Sequence, residues 1–530
     1  MNRSIAKVLL AAGLALAAAS PARAQNARIK LDLDRTIGEV SPLIYGNFVE
    51  HLGRMIYGGI YEPGSKLADR DGLRQDVMQA IRELHPTILR YPGGNFVSNY
   101  HWMDGVGPER KPQRDLAWDV IEPNTFGTNE FMKFVRQTGA EPYFTVNMGT
   151  GTFEEAQHWV EYTNLEGGPY SAELRKKHGY PKPYGIKYWS LGNEMDGYWQ
   201  IGHLNAEDYS KKALEAAKVM RLTDPSIKLL AAGSSNYRPG SNAMEWNRIV
   251  LDQLKDVVDF IALHIYVGNP QDNYYNFMAT PLVMEQRTKL VKGLIDEAML
   301  RANRGNRDPV YIAWDEYNVW YRARTGTARV GRNALEEHYD LEDALVIAGF
   351  LNGFIRNADV VKMANMAQLV NVIAPIFTSP TGMFKQTIFF PLSLFANNVY
   401  GTALDVAVVC DTYDTPEFNI GLGEQTTQQK HVPYLDVSAT YQKDGTVIVN
   451  VLNRHKDKAI TTDILAQEGA FTGPFQVFEV NGPDVKTQND FGKELVKTEK
   501  KPDVSATGSR FTYTFPAHSF TMLKGRIQRS

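Results

Sequence analysis

Eight times between Pro42 and Gln368 the chain runs through a short apolar or β-branched stretch and stops on polar residues. The stretches are PLIYGNFVE (Pro42–Glu50), TILRYPGGN (Thr87–Asn95), PYFTVNMG (Pro142–Gly149) and KYWSLGNE (Lys187–Glu194). KLLAAGSS (Lys228–Ser235), DFIALHIYV (Asp259–Val267), VYIAWDEYN (Val310–Asn318) and ADVVKMANMAQ (Ala358–Gln368) follow. Helical periodicity separates most of them, with helices expected from Leu73, Asn129 and Ala206, and from Asn333 as an N-cap. The helix from Ala206 puts Tyr209, Ala213, Ala216, Ala217 and Met220 on one face. Eight β-then-α units predict a (β/α)8 TIM barrel over residues 41–385. A doubly wound open sheet would carry a glycine-rich phosphate turn after its first strand, and YGNFVEHLGR is no such turn.

Beyond Lys385 the helical period fades and alternation takes over, as in TVIVNVLNR after Asp444-Gly445 and in Phe511–Phe515. Residues 386–530 therefore predict an antiparallel, jelly-roll-like β-sandwich, and the alternating residues 25–40 are expected to join it. The first 24 residues carry Arg3 and Lys7, an apolar run and Ala22-Arg23-Ala24, the pattern of a signal peptide cleaved near Ala24. That pattern leads us to expect export, to the periplasm or beyond. No later stretch reaches the length of a membrane span. With a single cysteine, Cys410, no internal disulfide can form, and its apolar setting predicts an inert buried thiol. A net charge of -3 gives no field that would draw the chain to nucleic acid or an anionic membrane.

Chemistry on such a barrel sits at the C-terminal ends of its strands. Those ends offer Asn47, Glu50 and His51; Arg90 and Asn95; Asn147; Asn193 and Glu194; His264 and Tyr266; Asp315, Glu316 and Asn318; and Asn365, Gln368 and Asn371. Glu194 and Glu316 close the fourth and seventh strands, from which two side chains can face each other across the barrel mouth. Facing carboxylates in unlike environments are what glycosidic bond cleavage needs, one to give a proton and one to attack. The plainer alternative pairs each glutamate with an arginine to close a barrel layer. No metal is expected, since H-E-x-x-H and C-x-x-C are absent and His264 stands alone on its strand, as a hydrogen-bonded support does. P-loop, G-x-G-x-x-G and G-x-S-x-G signatures are absent too.

IYGNFVEHLGRMIYGGIYEPGS, LRYPGGNFVSNYHWMDGVGP, YWSLGNEMDGYWQIGH and WDEYNVWY together resemble the α-L-arabinofuranosidases of glycoside hydrolase family 51, from about Ile29 to the C-terminus. The resemblance implies a retaining exo-hydrolase that needs neither metal nor organic cofactor and acts on an arabinose-containing polysaccharide or oligosaccharide. It makes Glu194 the acid/base and Glu316 the nucleophile, with Asn193 on the sugar 2-hydroxyl. Arg90 would hold Glu316 charged, Tyr266 would hydrogen-bond it, and His264 would lie beside the pair. Glu50, Asn95 and Gln368 would bind ring hydroxyls, and Trp118 and Trp320 would wall the sugar. The resemblance also implies a homo-oligomer, a hexamer. Two positions depart from the family pattern: Tyr198 replaces a usual Pro and Tyr317 a usual Trp. A β-glucanase or β-xylosidase on the same scaffold, or a non-catalytic carbohydrate-binding protein, are the competing readings.

Overall fold

The computed structural model describes residues 27–321 and 328–529; the expected signal peptide lies outside these residues. Eight parallel strands close into a barrel: Gly46–Phe48, Ile88–Tyr91, Glu141–Thr145, Tyr188–Leu191, Lys228–Ala232, Phe260–Val267, Tyr311–Val319 and Val361–Met366. The first is shorter than expected. Ser41 accepts a hydrogen bond from the Leu43 N–H and Pro42 takes the first helical position, so Pro42–Tyr45 forms a turn of 3-10 helix. The helix expected from Asn333 begins instead at Leu341, capped by Asp340 with Asp343 reaching back to it.

Two layers fill the barrel. Ile88, Tyr143, Tyr188, Leu230, Phe260, Ala313 and Met363, one from each strand but the first, form an apolar plug near the strand beginnings. Toward the strand ends the buried residues turn polar, among them Arg90, Asn193, His264 and Asp315. The seventh strand departs from simple alternation. Ala313 lies opposite Ala262, but Glu316 lies opposite His264, so three steps on one strand match two on the other. The same extra residue appears against the eighth strand, between Trp314 and Tyr317. This β-bulge resets the alternation, so the consecutive residues Asp315 and Glu316 both reach the barrel interior.

The helix Phe389–Asn398 packs on Gln75–Leu84 and Leu341–Arg356, so it completes the helical layer. The expected boundary at 385/386 therefore falls one helix too early. Beyond it, one sheet runs Ala407–Val409, Ala27–Asp32, Ile460–Gln467, Arg510–Phe515. The other runs Thr36–Glu39, Thr402–Leu404, Leu435–Tyr441, Thr446–Asn453, Ser519–Arg529, Pro474–Asn481, Lys497–Ser505. One pairing breaks the expected antiparallel rule: Ala27–Asp32 lies parallel to Ile460–Gln467. Asp444-Gly445 makes a hairpin turn, with Gly445 at a φ of +89° that suits glycine. Cys410 is half-buried, and burial pushes its thiol up.

Helix Leu341–Arg356 is buried on nearly every side because it lies between barrel and sandwich. At its end Arg356 pairs with Glu285 of the barrel layer and with Asp436 of the sandwich at 2.7 Å. Buried arginine–carboxylate pairs of this kind fix geometry more than they add stability. No helix among the described residues is long and apolar enough to cross a membrane.

Candidate active site

Arg90, on the second barrel strand, is fully buried and organises the polar layer. Its Nη1 donates to Glu316 Oε1 at 2.6 Å and its Nη2 to Asn193 Oδ1 at 2.7 Å, while Nε lies 3.3 Å from Asp315 Oδ2. The Phe48 ring lies under the guanidinium, 4.7 Å from its carbon. Tyr266, two residues beyond His264 on the sixth strand, donates its hydroxyl to Glu316 Oε2 at 2.7 Å. Both Glu316 oxygens thus accept from fixed donors, one of them a permanent cation.

Glu194 stands in a different setting. The strand ends at Leu191, and Glu194 takes a left-handed backbone (φ +45°), an uncommon conformation for a non-glycine residue. One carboxylate oxygen lies 3.0 Å from His264 Nδ1, and the other accepts from Trp199 Nε1. His264 Nε2 is 3.2 Å from Asp315 Oδ1, and Asp315 Oδ2 accepts from Tyr143 at 2.8 Å. His264 therefore bridges the two catalytic candidates, with Nδ1 also 3.5 Å from Glu316 Oε2. Burial alone would lower the His264 pKa. The charge of Glu316, then the hydrogen bond and charge of Asp315, outweigh it and raise the imidazole well above its ordinary value. For Glu194 burial pushes upward, but the hydrogen bond and charge of His264, then Trp199 and Arg90, hold the carboxyl below its usual range.

One oxygen each of Glu194 and Glu316 and one His264 nitrogen lie within 4.8 Å of one another. These three are also a donor set of the kind a cation could use, although His264 is engaged on both nitrogens by carboxylates.

Glu50 lies at the buried end. Its Oε1 accepts from the Phe96 N–H at 3.0 Å and Trp118 Nε1 at 3.1 Å, and its Oε2 from Gln368 Nε2 at 2.7 Å. Burial, then the nearby charge of Glu316, outweigh these three donors and push Glu50 up to about 8. At neutral pH this keeps a second negative charge away from Glu316. Gln368 keeps a buried Oε1 with no protein donor among the described residues, which suits a sugar hydroxyl. Asn371 is turned away, bonded to Thr378 and to the Arg54 carbonyl. Asn193 gives one Nδ2 hydrogen to Gln200, which leaves the other for a ligand.

Above this layer opens a cavity of about 310 Å³, at the small end for a ligand site. Asn95, Trp118, Glu194, His264, Tyr266 and Trp320 line it, and Glu316, Glu50, Asn193, Gln368 and Arg90 lie behind that lining. Trp320 meets Tyr266 edge to face at 5.1 Å. The structure thus brings Glu194, Glu316, Arg90, Asn193, His264, Tyr266, Glu50, Asn95, Gln368, Trp118 and Trp320 together, whereas His51, Asn147 and Asn371 are spent on bonds outside the cavity lining. Sequence reasoning left two members of this site without a role. Asp315 stood in the ring of strand ends, but a regular strand would have pointed it away from Glu316. Trp199 had no signal beyond its nearness to Glu194. Of the two departures, Tyr317 faces outward onto Phe350 and Phe354 and is part of the core. Tyr198 is exposed at the rim.

A closed parallel barrel with two carboxylates at the ends of its fourth and seventh strands defines a barrel glycoside hydrolase. Comparison with known proteins narrows this class. Models of an α-L-arabinofuranosidase 1 domain and an α-L-arabinofuranosidase C-terminal domain match residues 80–280 and 315–519. A probable α-L-arabinofuranosidase C of Aspergillus clavatus is 40% identical over 94% of this chain and 97% of its own length. An intracellular exo-α-(1→5)-L-arabinofuranosidase of Halalkalibacterium halodurans is 38% identical over 94% of this chain and 99% of its own. A solved family 51 α-L-arabinofuranosidase of Thermotoga petrophila superposes with a TM-score of 0.85 at 38% identity, covering 94% of this chain and 99% of that one. The chain belongs to the α-L-arabinofuranosidases of glycoside hydrolase family 51.

Proposed function

We propose that this protein is a retaining exo-acting α-L-arabinofuranosidase that removes terminal arabinofuranosyl residues from arabinan- or arabinoxylan-type hemicellulose. The observation that carries the reading is the close approach of Glu194 and Glu316, with oxygens within 4.8 Å. A gap that small leaves no room for a water between carboxylate and sugar, so the second carboxylate itself attacks. Glu316 attacks the anomeric carbon as the glycosidic C–O bond breaks, and Glu194 delivers a proton to the leaving oxygen. Water then attacks the glycosyl-enzyme, gives its proton to Glu194, and releases Glu316 with the anomeric configuration kept. In the free enzyme the proton rests with the Glu194–His264 pair, and Asp315 and Arg90 hold the surrounding charge in place. The small cavity, closed behind by Glu50 and Gln368, supports recognition of one terminal sugar rather than a polymer lying across an open groove.

The test is release of nitrophenol from α-L-arabinofuranoside and β-D-xyloside substrates, with NMR of the first-formed sugar. Arabinofuranoside turnover with retained configuration is expected; turnover of the xyloside alone sinks the proposal. The charged and apolar leader before Ala24 supports export, which N-terminal sequencing of protein recovered outside the cytoplasm tests.

A further inference from the structure

Tyr198 is 66% exposed, an unusual amount of bare aromatic surface four residues from Glu194. It is not loose. Its hydroxyl accepts from Arg238 Nη1, and the guanidinium carbon of Arg238 lies 5.2 Å from its ring centre and 4.7 Å from that of Trp199. The Tyr198 and Trp199 rings meet edge to face at 5.2 Å. Arg238 is fastened in turn, its Nε donating to the Leu422 carbonyl. Trp199 and Arg238 both line the cavity, and Trp199 touches the Glu194 carboxylate. A continuous wall of three planar groups therefore leads outward from Glu194 to the surface.

The direction of that wall matters. Glu50 and Gln368 close the opposite end of the site, around the sugar that stays. The group that leaves takes its proton from Glu194 and must depart on the Glu194 side. A second hollow of about 430 Å³ adjoins the cavity at Tyr237, which lines both. That hollow offers Ser241 and Asn242 beside Met244, Val283 and Leu290, while its Gln286 and Arg287 are bonded to Gln429 and Glu424. Tyr198 lines neither hollow itself; its exposed ring continues the wall that Trp199 and Arg238 begin at the cavity, an apolar face of the kind on which the C–H surface of a sugar ring stacks.

Resting on the arabinofuranosidase reading above, we infer that Tyr198, held in place by Arg238, is a specificity-determining residue that binds the next sugar of a neutral oligosaccharide leaving group. It stacks on the sugar's C–H face, and the stack contributes to oligosaccharide substrates and not to small aglycones. Loss of an aromatic contact of this kind costs about three- to tenfold in binding.

The experiment compares kcat/KM for α-(1→5)-arabinotriose and for nitrophenyl α-L-arabinofuranoside in the wild type, Tyr198→Ala and Tyr198→Phe. In Tyr198→Ala the ratio of the first to the second falls about three- to tenfold, chiefly through KM for the trisaccharide. Tyr198→Phe, which keeps the ring, retains most of the wild-type ratio. An unchanged ratio in Tyr198→Ala overturns the inference, as does an equal fall on both substrates, which marks a merely structural role. A wild type that cleaves the nitrophenyl glycoside but not the trisaccharide overturns it too, while leaving the activity intact. Turnover of neither substrate removes the arabinofuranosidase reading, and the leaving-group site with it.

Discussion

Glu316 and Glu194 are the same residue type at equivalent ends of two barrel strands, yet their surroundings share little. Glu316 is the more buried, its side chain 6% exposed against 12%, and both its oxygens are taken by Arg90 and Tyr266. Glu194 rests on an imidazole and an indole, on a left-handed backbone at the start of a loop. A guanidinium cannot give up its proton near neutral pH, whereas an imidazole can. The difference teaches that the division of labour lies in the neighbours. One carboxylate is fixed beside a permanent charge, the other beside a proton store.

Replacing each glutamate breaks the comparison most severely. Glu316→Ala is expected to lower kcat by roughly 10⁴-fold or more on every substrate, as loss of a nucleophile does. Added azide should restore turnover and give the inverted glycosyl azide; azide rescue with retention would reverse the roles assigned here. Glu194→Ala should cost about 10²- to 10⁴-fold on oligosaccharides, the range for a lost general acid. On nitrophenyl substrates, whose leaving group needs no proton, glycosyl-enzyme formation should survive and appear as a burst. Equal loss on both substrates would show that Glu194 is not the acid.

Smaller changes sharpen the contrast. Tyr266→Phe removes one hydrogen bond to a charged group, worth about 1.5–3 kcal/mol, so kcat/KM should fall roughly 10- to 100-fold with good and poor leaving groups alike. A loss confined to poor leaving groups would place Tyr266 with Glu194 instead. The finest test uses pH. The raised His264 pKa keeps a proton beside Glu194, and that proton is lost as pH rises through the raised value. In His264→Gln the proton depends on Glu194 alone, so the alkaline limb of the oligosaccharide kcat/KM profile should move to lower pH. An unmoved limb would exclude His264 as the store.

Much of this site is legible in the sequence, for a physical reason. Strands buried on both faces read as apolar runs, so the polar residues that end them stand out, and Glu194 and Glu316 with them. The eight-strand pattern is legible on the same ground. Local chain effects are not. Pro42–Tyr45 reads as strand because its residues are apolar, while Ser41 and Pro42 start a helical turn. Alternation in Ala27–Asp32 reveals a strand but not the direction of its partner, and the parallel pairing with Ile460–Gln467 follows only from the fold. Asp315 escapes a role because the bulge that brings Glu316 inward beside it leaves no mark on residue type. Tyr317, a departure from the family pattern right beside Glu316, packs its ring on Phe350 and Phe354 of the helix layer, which the sequence alone does not show.

The bulge in Tyr311–Val319 has one further consequence, for the length of the chain rather than its spelling. Regular strands sort side chains by odd and even position, and the extra residue between Ala313 and Tyr317 is what puts Asp315 and Glu316 both among the inward set. Deleting a single residue there, even one that touches nothing in the cavity, would return the strand to plain parity. With Trp314 deleted, Glu316 would fall two residues after Ala313 and still face inward, while Asp315 turned toward the helices; His264 and Arg90 would lose the carboxylate they share, with both glutamates still written in the gene.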